Sequence, residues 1–275
     1  MTKNLLAIAR LEFVGAARLK WLRLLTAAFA TLALAAAYSA GAAQELSGVD
    51  GFARTTMSLI PVVLLLVPLA ALVLGVSGQT VESGHDAFLF AQPIGRSTVL
   101  VGRWLGEAAA LSGAIGAGLG LGGVLIAISA GVDGAPRFVF FIAASIVLAI
   151  VFLSIAAAIA AYTDRRVTAL SLGTFAWFFF VLLYDGAALS VAGRLTGALG
   201  GRVLFVSLFA NPADVVRVAM LAVAGTPSVL GAAGEAWMRF LGGATAALLA
   251  CAAVLAAWTV APLAIAARAI GARDL

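Results

Sequence analysis

Apolar residues in this chain come in unbroken runs, and polar residues are confined to the gaps between them. Six runs are long enough to cross a bilayer, at roughly 24–43, 58–78, 100–130, 138–162, 168–193 and 241–267. A spanning helix needs about 20 mostly apolar residues, because about 30 Å of hydrocarbon is covered at 1.5 Å per residue. A water-soluble core would interleave polar positions with period 3.6 or 2, whereas these runs are apolar all round. The pattern predicts an all-α polytopic membrane protein with six transmembrane helices. No repeat or low-complexity linker divides residues 1–275, which read as one domain: a lead-in at 1–23, spans one to five over 24–193, a hairpin at 194–240 and span six at 241–267.

Charge sets the expected orientation. With the N-terminus inside, eleven of the 17 basic residues lie on the cytoplasmic side (Lys3, Arg10, Arg18, Lys20, Arg23, Arg96, Arg103, Arg165, Arg166, Arg268 and Arg273). Five of them precede span one, so the positive-inside rule predicts both termini in the cytoplasm. The net charge of +5 is then mostly topological and gives no sign of nucleic-acid binding. The small residues of Ala36–Ala43 could close a signal peptide. The long basic lead and the full spanning length of the apolar run favour an uncleaved first helix. The lead-in reads equally as a cytoplasmic elbow helix lying along the membrane or as a plain basic flank. A single cysteine, Cys251, falls inside a span and excludes a disulfide framework or a cysteine metal cluster.

Two connections carry more pattern than the rest. Residues 79–99 hold Glu82, His85 and Asp86 ahead of Phe88, Leu89 and Phe90, with Pro93 closing the stretch. This predicts a short helix with an acidic start and an aromatic end. It would either press apolar knobs into a cytoplasmic partner or dip into the interface. Residues 194–240 contain two apolar stretches, 203–210 and 215–225, both below spanning length, as in re-entrant or interfacial helices. Asn211 can cap the second, Pro212 fits its first position, Asp214 complements the dipole, and Gly225 with Pro227 ends it. Span three is glycine-dense from Gly102 to Gly123, which first of all means close helix packing.

Chemistry is nearly absent. Gly118, Gly120 and Gly123 match G-x-G-x-x-G inside an apolar span with no preceding strand, so the match carries nothing. Leu111-Ser112-Gly113, which echoes an ABC ATPase signature, is likewise inside that span. The only lysines, Lys3 and Lys20, follow no glycine and cannot complete a phosphate-binding loop. His85 is the only histidine, and no G-x-S-x-G occurs, which argues against an enzyme. Met57, Met220 and Met238 are scattered as packing filler is, and imply no metal site. Two carboxylates lie within spans: Glu107, spaced to pair with Arg103, and Asp185 after Tyr184 near the outer end of span five. Both read as paired or interfacial groups. Such a chain is driven from outside the membrane, and any ATP is bound by another subunit.

Several loops resemble one family. Arg10-Leu11-Glu12-Phe13 looks like the N-terminal element of type-2 ABC exporter permeases, and Val81–Gly84 through Gln92–Arg96 resembles their coupling-helix segment. Phe180–Asp185 and Asn211-Pro212-Ala213-Asp214-Val215-Val216-Arg217 resemble the NosY-like branch, membrane subunits of NosDFY transporters that mature the copper site of nitrous oxide reductase. The resemblance implies an inner-membrane homodimer, embedded in lipid, with two cytosolic ATPase subunits that bind ATP and magnesium. It assigns ATPase coupling to Glu82, Gly84, Asp86, Phe88, Leu89, Phe90 and Arg96, and an elbow to Arg10 and Glu12. It also implies a periplasmic β-helix partner, able to carry copper, that meets Asn211, Asp214 and Arg217. Two other readings stand beside it: a permease exporting a lipid, peptide or drug-like molecule, and a membrane scaffold that transports nothing.

Overall fold

All six apolar runs are helices in the computed structural model, which describes residues 2–41, 48–80, 95–195, 198–224 and 243–272. A lead-in helix α1 (Thr2–Arg18) precedes α2 (Lys20–Gly41), α3 (Gly48–Gln79), α4 (Arg96–Ala130), α5 (Ala135–Ala161) and α6 (Arg166–Gly193). Two shorter helices, α7 (Ala198–Ala210) and α8 (Pro212–Ala224), come before the last, α9 (Ala244–Gly271). Helices α2 to α6 and α9 are long and apolar enough to span a membrane, and no strand occurs among the described residues. The protein is therefore a multi-pass membrane protein.

The second span starts ten residues before its apolar run. One face of the added turns is packed: Phe52, Thr55 and Thr56 are buried, and the Phe52 ring lies 5.6 Å from that of Phe138 on α5. Packing against a neighbour thus carries α3 past the hydrocarbon limit, to about 48 Å at 1.5 Å per residue. It also continues through Pro61 and Pro68, which membrane helices tolerate because neighbouring groups re-satisfy the backbone.

The centre of the bundle is α3 against α5, with Val63, Val67, Ala71, Leu148, Phe152 and Ala156 fully enclosed. α4 is flanked by α1 and α2 in turn. Its glycines explain how closely. A Cβ on Gly102 would touch Ile8, one on Gly106 the backbone of Ala9 and Phe13, one on Gly118 Phe29, and one on Gly122 Ala33. Two glycine pairs four residues apart therefore seat α1 and then α2, as small-residue interfaces in membranes do. Gly113, Gly116 and Gly120 meet nothing within 4 Å.

These contacts settle the lead-in as a helix. It runs alongside the first turns of α4 and is separated from α2 by a break at Leu19. Leu100, Ala157, Ala161 and Ala266 form a small cluster of their own. They come from the start of α4 and the ends of α5 and α9, so α9 finishes at the same end of the bundle where α1 packs. This is called the terminal end below, and the opposite one the far end.

Candidate functional site

The two apolar stretches of the 194–240 connection are α7 and α8, bent by 98° at Asn211. The helix start read from the sequence is in place. Asn211 Oδ1 accepts the Ala213 backbone N–H at 3.1 Å, and Pro212 opens the helix. Gly225 and Pro227, the expected stop, lie outside the described residues. α8 is almost wholly buried, packed against α5, α9 and α3.

Its corner reaches the middle of the bundle. Asn211 Nδ2 donates to the Phe180 carbonyl at 2.9 Å, and Trp258 Nε1 donates to the Phe209 carbonyl at 3.2 Å. Phe180 and Trp258 are each the fifteenth of 28 residues in their helices (180 from 166, 258 from 244). The Phe180 ring meets Trp258 edge-on at 5.6 Å and Phe152 at 6.1 Å, closing an aromatic floor under the corner. In α6 the stretch Phe179–Leu183 is a π turn, in which the Tyr184 N–H bonds back to the Phe179 carbonyl. Such turns gather at functional sites.

Just beyond the corner lies an ion group. Arg217 Nη1 is 2.8 Å from Asp185 Oδ2 and 2.8 Å from Asp214 Oδ1, and Asn211 Nδ2 donates to Asp214 Oδ2 at 2.8 Å. Asp214 is 3% exposed, whereas the Arg217 and Asp185 side chains are 34% and 48% exposed. One guanidinium thus serves two carboxylates, and the group faces outward through Asp185. The Tyr184 hydroxyl ties α6 to α7 by donating to the Ser207 carbonyl at 2.8 Å. A cavity of about 1000 Å³ opens between the last third of α6, α7 and α8. Leu189, Leu204, Phe205 and Leu208 line it, and Arg202 and the ion group supply its charge. Among the described residues no three His, Cys, Asp or Glu side chains converge as metal ligands do.

The expected site residues thus fall into separate places. Asn211, Asp214 and Arg217 are brought together, and only Arg217 among them has an exposed part. The sequence reading missed the partners Phe180 and Trp258. It did pick out Asp185, whose charge inside an apolar run was the available signal. At the terminal end Glu12 pairs with Arg103 at 3.3 Å, Arg10 is exposed, and Arg96 opens α4 half-buried. Arg103 and Glu107 interact electrostatically, as expected, and each also finds a partner on another helix: Glu12 for Arg103, and Gln79 for Glu107 at 3.2 Å. Glu82, Gly84, Asp86, Phe88, Leu89 and Phe90 lie outside the described residues.

The corner is testable through Asn211. Asn211→Ala removes a helix cap worth about 1 kcal/mol and leaves buried polar partners short of a bond at about 1–3 kcal/mol. The expected loss of about 2 kcal/mol would appear in thermal unfolding in detergent, and a loss below 0.5 kcal/mol, the usual range of a surface change, would contradict the assigned bonds.

Residues 6–275 match the profile of the ABC-2 family transporter proteins. Over 220 residues the chain is 32% identical to the probable ABC transporter permease protein NosY of Pseudomonas aeruginosa, covering 77% of this chain and 79% of that protein. Over 234 residues it is 30% identical to the probable ABC transporter permease protein NosY of Stutzerimonas stutzeri, covering 82% and 84%.

Proposed function

As the chain belongs to the ABC-2 family of transporter proteins, it is a permease subunit of an ABC transporter, and we propose that two copies couple ATP hydrolysis on separate cytosolic subunits to periplasmic delivery of copper or sulfur for nitrous oxide reductase. The observation that carries the reading is the 211–217 element. The residues that bear the NosY-like resemblance are the same ones that hold the corner of α7 and α8 at mid-bundle.

On this reading, with the terminal end in the cytoplasm, the segment between α3 and α4 receives the ATPase. Its residues Phe88, Leu89 and Phe90 would enter an apolar groove, with Glu82 and Asp86 at the rim. Movement of α3 has a short path to the far end, because α8 packs directly on α3 and α5. Asn211 and Asp214 work from inside by fixing the corner, and the exposed part of Arg217 with the outer edge of α7 presents the surface for a periplasmic β-helix partner. Copper, where it passes, is cargo and needs no resident ligand here.

Glu82→Lys is expected to uncouple ATP turnover from transport while the complex still assembles; unchanged turnover and full complementation of nitrous oxide reductase maturation would remove the coupling assignment. The partners are tested by purifying the tagged chain in mild detergent. An ATPase together with a β-helix protein supports the reading, and absence of any ATPase defeats it. An ATPase alone favours the second reading, export of a lipid-like or drug-like molecule, which the apolar cavity beside α7 supports.

A further inference from the structure

The end of α3 and the start of α4 are the two roots of the segment that joins them, and buried polar groups hold both. Gln79, Arg103 and Glu107 are 5%, 6% and 2% exposed. Gln79 Nε2 donates to Glu107 Oε2 at 3.2 Å, joining the end of α3 to the fourth turn of α4. Arg103 Nη1 donates to the Gly78 carbonyl at 3.4 Å, and its Nε lies 3.3 Å from Glu12 Oε1 on α1. The other Glu107 oxygen, Oε1, is buried without a hydrogen-bond partner and lies against Gly78, where any Cβ would overlap it. Gly106, one helical step away, admits the backbone of α1.

Stability alone does not account for such a group. Burying ions is costly, and replacing a buried ion pair with well-packed apolar residues is often neutral or stabilising. What hydrogen bonds add in a bilayer is register. Lipid competes evenly for apolar helix faces, so they can slide and turn, whereas directional polar bonds hold two helices at one position. We propose that Glu12, Gln79, Arg103 and Glu107 are positioning residues of the energy-coupling step. They form a polar clamp that joins α1 to both roots of the coupling segment, so that a displacement imposed on the segment reaches α3 and α4 as one body. The clamp rests on the coupling reading above. It is distinct from the residues that would touch the ATPase.

The test uses the permease–ATPase complex in nanodiscs, with ATP turnover compared with that of the ATPase alone. Arg103→Glu and Glu107→Leu should keep the ATPase bound, yet lose permease-dependent stimulation by about fivefold, the low end of a coupling between sites. Glu107→Gln, which keeps the shape and an acceptor for Gln79, should retain most of it. The swap Glu12→Arg with Arg103→Glu should restore more than half of what Arg103→Glu loses. Glu12→Gln cuts the ion pair from its half-exposed side, and so reports even where Arg103→Glu does not accumulate. Variants that bind the ATPase and stimulate it like wild type overturn the clamp, as does a folded swap variant with no recovery. A wild-type chain that binds no ATPase, or leaves its turnover unchanged, overturns the coupling reading and the clamp with it.

Discussion

Arg217→Leu should destabilise the protein by about 3 kcal/mol, the lower end of what breaking a buried ion pair costs. The loss comes less from the missing attraction than from what stays behind. Asp214 is buried at the corner, and without the guanidinium it keeps the Asn211 amide but loses its one cation, with Asp185 still beside it. The lower end applies because the Arg217 side chain is 34% exposed, so water can partly replace it on that side. Neutralising the stranded group separates this cause from lost packing. Asp214→Asn combined with Arg217→Leu should recover more than half of the melting-temperature drop. A double variant no more stable than Arg217→Leu would show that the unpaired carboxylate is not responsible.

Gly106→Leu is the second large effect. A Cβ there would lie 2.5 Å from the Ala9 carbonyl oxygen and 2.9 Å from the Phe13 nitrogen. These are backbone atoms and cannot swing aside as the tip of a side chain could. The whole of α1 must lift, and the Glu12–Arg103 pair opens with it. Overpacking of a tight site costs about 1–3 kcal/mol, and the upper part of that range is expected. Limited proteolysis should then cut within residues 2–18 at protease levels that spare wild type. Gly116→Leu, with nothing within 4 Å, is the control and should melt like wild type. Equal damage from both would mean that glycine is needed along α4 for reasons other than the seat of α1.

The spans were legible because lipid removes the need for a polar face, so a run length alone marks each helix. Their ends were less so: the turn around Phe52 is held by contact with Phe138, which no count of apolar residues includes. Asn211, Pro212 and Asp214 announced a helix start because capping is local chemistry, readable from neighbours in the chain. How deep the corner lies was not readable, since it depends on Phe180 and Trp258, 31 and 47 residues away. Arg103 and Glu107 show the same limit. Their spacing is right for a pair on one helix face, yet Glu12 and Gln79 on other helices also reach them, and only the packing order decides that. The glycines of α4 signalled close approach correctly, but not that α1 takes one pair and α2 the other.

The π turn at Phe179–Leu183 has an evolutionary side. An ordinary helix that loses one residue turns everything beyond it by about 100°, one residue's share of a 3.6-residue turn, and a buried carboxylate would swing away from its partner. A π turn holds one residue more than an α turn in about the same rotation. α6 therefore carries a spare. A single deletion within 179–183 would convert the wide turn into a plain one and leave Asp185 facing Arg217, whereas the same deletion a few residues earlier in α6 would not. Related chains can differ by one residue in this stretch and still keep the same charge in the same place.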